Sequence, residues 1–290
     1  MPPPGARLSV DTPSEVPVDQ LESVVEVGGT PISYSVTGQG DIAVVLTHGF
    51  RAHHVWWAAV VPLLESKYKV VRMDLSGSGD SGHRESYSID TWGKEVIAVL
   101  DDAGIDKALL VGHSLGGTAV VMAATQSPER AVGVILMDTF IEGEGRIRPI
   151  GAASSSPVRI YESKEDAVGR FRLMPAQPND DPQILARMAN YGVKQIDQGW
   201  TWKFDQVVAP KIDEEKLNAS IAALQVPFHY VHASLSPVVV PEVVTFILSF
   251  APEGTSVTHV ADAMHHLVVS HPQTCADVID RFAQEWTSSA

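Results

Sequence analysis

Lys107-Ala-Leu-Leu-Val-Gly-His-Ser-Leu-Gly-Gly117 is an apolar run that breaks into a G-x-S-x-G pattern at Gly112, Ser114 and Gly116. The spacing has a mechanical reason. A serine on so tight a strand-to-helix turn adopts strained dihedrals, and the residues two before and two after it must lack side chains. The turn lifts the hydroxyl clear of the sheet, where a base can reach it, and aims the next amide, that of Leu115, at a developing oxyanion. The flanks fit. Apolar and β-branched residues precede the pattern, and Thr118-Ala-Val-Val-Met-Ala-Ala-Thr125 reads as the helix that follows.

Working outward, residues 1–20 read as a mobile proline-rich tail, and from about residue 22 strands alternate with helices. Ser23–Val27 and Ile32–Val36 flank Gly28-Gly29 and predict an opening antiparallel pair. Strands are expected at Ile42–Thr47, Tyr68–Met73, Ala108–Val111, Val132–Met137, Phe228–His232 and Ser256–Val260. Helices are expected at Val55–Leu64, at Ile89–Ala103 behind a Ser88 cap, from Pro241 and from Gln273. Continuous apolar strands alternating with helices imply a mostly parallel sheet covered on both faces. Residues 141–225 depart from this rhythm, with six prolines, short helical patterns and no good strand. Ser163-Lys-Glu-Asp166 resembles a capping box, and Asp181-Pro182 places proline just inside a helix. The expected organisation is a core of residues 21–140 and 226–290 with a helical lid, 141–225, over the edge where such sheets bind ligands.

The 290 residues suit one large domain or a domain with an insertion. The chain carries 35 acidic against 21 Lys and Arg residues, a formal charge of −14, and no basic run fit to hold a phosphate backbone. Nucleic acid is therefore not an expected partner. A single cysteine, Cys275, precludes an internal disulfide. No apolar stretch approaches membrane-spanning length, and the first residues lack the apolar centre of a signal peptide. The expectation is a cytoplasmic protein, monomer or homodimer, that acts on a small molecule and needs no cofactor. Gly77, Gly79 and Gly82 have the G-x-G-x-x-G spacing, but polar loop residues follow them rather than a phosphate-binding helix. Asp74 and Asp80, which bracket that loop, read as its hydrogen-bonding ties. Adjacent His53 and His54 lack partner ligands at useful spacing, so no metal is expected.

A serine nucleophile needs a base, an orienting acid and a second oxyanion donor. Thr47-His48-Gly49-Phe50, at the end of an expected strand, offers the Phe50 amide as the second donor beside Leu115. His48 and His113 read as structural. The base belongs on a loop after the last strand. His259 lies within that strand and His271 enters the final helix, which leaves His265 and His266. The loop apex points to His265, with His266 as the alternative.

Taken together, His48-Gly49-Phe50, Asp74-Leu75-Ser76-Gly77-Ser78-Gly79-Asp80-Ser81, Gly112-His113-Ser114-Leu115-Gly116-Gly117 and His265 resemble the α/β-hydrolase superfamily over residues 22–290. Phe171–Pro175 and Gly199–Asp205 look like a bacterial, lidded subgroup of its serine hydrolases. The resemblance implies an eight-stranded sheet and an acid after the strand Phe228–His232. Ser236 stands in that acid's place, with no Asp or Glu between Glu215 and Glu242. The family's alternative position, after Val134-Ile135-Leu136-Met137, holds Asp138, which becomes the expected acid, with Glu142 and Glu144 as reserves. The implied chemistry is hydrolysis of a carboxylic ester of a small hydrophobic substrate through an acyl-enzyme. Trp56, Trp57, Phe140, Met174, Trp200 and Trp202 are the apolar candidates for lining its pocket, although packing accounts equally well for the lid's two tryptophans. Alternatives are C–C hydrolysis, lactonase or thioesterase action, cofactor-free oxygen chemistry, and a non-catalytic ligand receptor.

Overall fold

The computed structural model describes residues 20–141, 158–178 and 181–288. Residues 1–19 of the expected tail and the reserve acids Glu142 and Glu144 lie outside them. Ten strands are present among the described residues: β1 (Ser23–Val27), β2 (Thr30–Thr37), β3 (Ala43–Thr47), β4 (Lys69–Met73), β5 (Ala108–His113), β6 (Ala131–Met137), β7 (Val193–Ile196), β8 (Gly199–Trp202), β9 (Phe228–Ala233) and β10 (Ser256–Val260). Eight of them form one sheet in the order β1-β2-β4-β3-β5-β6-β9-β10. Only the β1–β2 and β2–β4 pairings are antiparallel; from β4 to β10 every neighbour is parallel.

Alternate residues of each central strand enter opposite cores, as the two-residue period of a strand requires. Val45, Leu110, Val134 and Leu136 pack with the helices α2 (Ile89–Asp102), α3 (Gly116–Gln126), α6 (Glu214–Ala222) and α7 (Pro241–Leu248). Val44, Leu46, Leu109, Val111, Ile135 and Met137 face α1 (Val61–Leu64), α8 (Leu267–Ser270) and α9 (Pro272–Thr287). Both faces are dry, so the strands read as unbroken apolar runs. Helix α3 is buried all round from Gly116 to Ala124, because α2 covers the side turned from the sheet.

Two expectations change. The helix expected over Val55–Leu64 is a 3-10 turn at His54–Trp57 followed by the single-turn α1, since Pro62 sets a new helix start. The insert is not purely helical. It holds α4 (Lys164–Val168) and α5 (Pro182–Tyr191), capped by Ser163 and Asp181 as read, but also the antiparallel hairpin β7–β8. Val193-Lys-Gln-Ile196 and Gly199-Trp-Thr-Trp202 are only four residues each, and Gly199 at φ +135° supplies a backbone geometry closed to other residues.

The insert is bolted to the sheet through a buried acid. Asp74, after β4, accepts hydrogen bonds from the His54 amide (2.7 Å) and the Asp80 amide (2.9 Å). The Tyr191 hydroxyl, at the end of α5, lies 2.8 Å from both Asp74 Oδ2 and Asp80 Oδ2. Lys203 pairs with Asp80 at 2.6 Å and sits over the Tyr191 ring. Burial would raise the Asp74 carboxyl, but the charge and hydrogen bond of the His54 ring, and then His48 and His53, hold it below the usual carboxylate range.

The elbow itself leaves no room for a side chain at its flanks. A Cβ on Gly112 would lie 2.5 Å from the Gly117 amide nitrogen, and one on Gly116 2.5 Å from the His48 carbonyl oxygen. Backbone blocks both, so neither clash relaxes cheaply. Gly112→Ala is expected to cost about 3 kcal/mol, a fall in Tm of roughly 6–12 °C, measurable by thermal unfolding.

Candidate active site

Every parallel strand of the central sheet ends at the same edge, and five strand ends meet there. Ser114 ends β5 in the left-handed region, φ +53°, with its amide donating to the Met137 carbonyl of β6 (3.0 Å). Asp138 ends β6, also at positive φ (+50°). The β9 end carries Ser236, the loop after β10 carries His265, and β3 runs into Gly49-Phe50. Strain at two adjacent strand ends is held by the packed sheet below them.

These ends bring three groups into line. His265 Nε2 lies 3.0 Å from Ser114 Oγ, and His265 Nδ1 lies 2.7 Å from Asp138 Oδ2. Asp138 is wholly buried and accepts two further hydrogen bonds, from the Ala233 amide (3.0 Å) and the Ser236 hydroxyl (2.5 Å). Because a carboxylate only accepts, Nδ1 carries the proton in this arrangement and leaves Nε2 free to take one from the serine. Ser236 in turn accepts from the Val238 and Val239 amides, at 3.2 and 3.1 Å. The residue that replaces the commoner acid thus braces the acid on the neighbouring strand.

Gly49 approaches so closely that a Cβ there would lie 3.2 Å from Ser114 Cβ and 3.3 Å from His113 Nδ1. The Phe50 and Leu115 amides follow Gly49 and Ser114, and neither is committed to another described residue. His48 donates from Nδ1 to the Gly49 carbonyl and accepts the Leu75 amide at Nε2, so both its nitrogens hold loops. His113 Nε2 donates to the His265 carbonyl at 2.8 Å, fixing the loop that carries His265.

His266, the alternative base, turns away from Ser114. Its Nε2 donates to the Pro175 carbonyl (3.2 Å), its amide to Gln177 Oε1 (2.8 Å), and its ring packs on Trp56. It therefore ties the insert to the loop. Nitrogens of His113, His265 and His266 fall within 4.8 Å of one another, a possible metal grouping by distance. Both nitrogens of His265 are already engaged with Ser114 and Asp138, so a cation there would compete with that line.

Above Ser114 and His265 opens a cavity of about 710 Å³ between core and insert. Of the apolar candidates, Trp56, Met174 and Trp202 line it, joined by Phe50, Phe171 and Phe204. Trp57, Phe140 and Trp200 do not. Trp57 is fully buried in the core beside α1, and Phe140 packs in the opposite core. Trp200 packs against Tyr161, α4 and β7 within the insert, with Lys164 over its ring. Residue type alone gave no reason to separate these six. Four arginines, Arg51, Arg159, Arg170 and Arg172, also line the cavity and were absent from the reading of the sequence.

Comparison with known proteins agrees with this architecture. Residues 42–153 match the family model described as alpha/beta hydrolase fold. A thioesterase domain from a curacin biosynthetic pathway superposes with a TM-score of 0.73 at 22% identity, covering 90% of this chain and 99% of that one. An esterase from Mycobacterium tuberculosis gives 0.72 at 21% identity, covering 93% and 92%. A pimeloyl-[acyl-carrier protein] methyl ester esterase of Edwardsiella ictaluri is 24% identical over 85% of this chain and 95% of its own. A bifunctional epoxide hydrolase 2 of Sus scrofa is 29% identical over 46% of this chain and 25% of its own. The chain spans only 25–37% of the first curated relatives it matches. The chain thus has the α/β-hydrolase fold, and the proteins it is similar to include esterases and epoxide hydrolases. No helix among the described residues is long and apolar enough to cross a membrane.

Burial, and then the charge of His265, push the His266 imidazole down to about 3 from its ordinary 6.5. The unfolded chain therefore takes up this proton first as pH falls below about 6.5, so stability linked to His266 is present above that pH and is lost on acidification towards 3. Urea midpoints measured from pH 7 to pH 4 are expected to fall more steeply in the wild type than in His266→Gln. Parallel slopes would show that the group does not titrate this way.

Proposed function

We propose that this hydrolase is a serine carboxylesterase in which Ser114 is the nucleophile, His265 the base and Asp138 the acid. The observation that carries the reading is the unbroken line from Ser114 Oγ to His265 to Asp138, opening into the cavity beside two free amides. His265 Nε2 takes the Ser114 proton as the hydroxyl attacks the ester carbonyl. Asp138 supports the imidazolium and keeps the tautomer, while the Phe50 and Leu115 amides receive the oxyanion. Collapse of the tetrahedral adduct expels the alcohol, protonated by His265, and leaves an acyl-serine. Water, deprotonated by the same histidine, releases the acid and restores the serine.

The nucleophile's identity argues against epoxide opening as the main reaction. A serine alkoxide that opened an epoxide would leave an ether, which water does not cleave, whereas a carboxylate nucleophile leaves a hydrolysable ester. A non-catalytic receptor reading has no use for Asp138, whose burial is compensated only by its partners.

A fluorophosphonate probe should label the wild type at Ser114 and fail to label Ser114→Ala. With a p-nitrophenyl ester, Ser114→Ala and His265→Ala should lose at least a thousandfold in kcat. Asp138→Asn should lose about three to four orders of magnitude by presenting the wrong tautomer. Undiminished turnover in Ser114→Ala would transfer the chemistry to the His265–Asp138 pair. Undiminished turnover in Asp138→Asn would remove the acid from its role.

A further inference from the structure

The cavity above Ser114 is charged in the sense opposite to the rest of the protein. The chain bears a net charge of −14, yet the described lining includes four arginines and no aspartate or glutamate. None of the four pairs with a carboxylate among the described residues. Arg172 spends one nitrogen on the Gly169 and Phe171 carbonyls, whereas the guanidiniums of Arg51, Arg159 and Arg170 make no hydrogen bond with any described residue.

Arg51 is held by its ring contacts and Arg159 through its backbone. Arg51 directly follows the proposed oxyanion residue, Phe50, and sits at φ +55°, a conformation that costs energy in a residue with a β-carbon. Its guanidinium lies between the rings of Phe50 and Phe204, 5.1 and 5.0 Å from their centroids. Arg159 has its amide bonded to Gln206 Oε1 (3.0 Å) and its carbonyl bonded by the Thr201 hydroxyl (2.7 Å), which pins its backbone to the hairpin side of the insert. One cation thus comes from the core and the other from the insert. Both side chains are exposed to solvent, yet partial burial, and then the Arg159 charge, lower the Arg51 guanidinium from its ordinary value, so the two charges feel each other. Two like charges with no carboxylate partner among the described residues repel across one cavity, and an anion between them would relieve this. Planar guanidiniums suit carboxylate and phosphate oxygens.

We propose that the substrate is an anionic ester: an apolar chain with a carboxylate or phosphate, which Arg51 and Arg159 bind, with Arg170 in support, while its ester lies on Ser114. Trp56, Phe171, Met174, Trp202 and Phe204 supply the apolar wall between the two ends. This rests on the esterase reading of the same site and replaces its hydrophobic substrate with one charged at the far end.

The test compares kcat/KM for the mono-p-nitrophenyl ester of glutaric acid with that for p-nitrophenyl hexanoate, a neutral ester of similar length. A third arm uses p-nitrophenyl 4-phosphonobutyrate. The wild type should favour an anionic ester over the neutral one by at least tenfold, the better of the two anions naming the group. That preference should shrink as NaCl is raised from 20 to 500 mM. In Arg159→Gln and Arg170→Gln the anionic-to-neutral ratio should drop tenfold or more, with partial recovery in Arg159→Lys. Arg281→Gln, on the exposed face of α9, should leave the ratio unchanged and so controls for net charge. Fluorophosphonate labelling of Ser114 in the same preparations separates the two claims. Labelling without charge preference overturns this proposal alone, and loss of labelling overturns the esterase reading beneath it. A ratio that falls equally in Arg281→Gln also overturns it.

Discussion

The Asp138 carboxylate, wholly buried at the end of β6, receives hydrogen bonds from Ala233, from Ser236 and from His265, so three separate segments converge on one acceptor. A buried carboxylate is tolerable only when its oxygens are satisfied. That requirement couples the site to the fold. The β9 end must close against β6, the Ser236 turn must stand over Asp138, and the β10 loop must bring His265 down. Any loosening of the three leaves a charge without partners, which costs far more than any single bond among them contributes.

The same economy recurs on the other side of the cavity. Asp74 is also fully buried, and its donors come from the loop after β3, from the glycine-rich loop and from Tyr191 of the insert. One acid organises the proposed chemistry and the other docks the insert that roofs it. Between them, the buried histidines work mostly as neutral donors to backbone carbonyls: His113 to His265, His266 to Pro175, His53 Nε2 at 3.1 Å from the Met188 carbonyl. Burial lowers all three, which suits that use. The four arginines stand apart from this pattern, since among the described residues no acid lines the cavity to answer them.

Much of the core was legible because its constraints are local. Gly112 is required by a clash within six residues, with the Gly117 amide, although Gly116 is required by the distant His48 carbonyl, and apolar runs of strand length announced the parallel sheet. Asp138 was implied by the resemblance, whose alternative acid position it fills once Ser236 leaves the commoner one without a carboxylate. The bond between those two residues could not be read, because it joins positions 98 apart through strand pairing. The β7–β8 hairpin escaped for a different reason: four-residue strands carry too little periodicity to register against a background of prolines and short helices. Trp57 and Trp56 are neighbours in sequence, yet one is core and the other cavity wall. Composition treats them alike, and only the direction of a 3-10 turn separates them.

By itself, the sequence determined a parallel sheet with a serine elbow, a histidine on the loop after the last strand and an aspartate at a neighbouring strand end. Those features depend on residues close together in the chain, where sterics and periodicity act directly. Tertiary structure alone decided which of six aromatics face the cavity, that Ser236 braces Asp138, and that Arg51 and the insert's arginines share one space. These depend on where distant segments pack, and burial and charge at a point in space are properties of the packed whole.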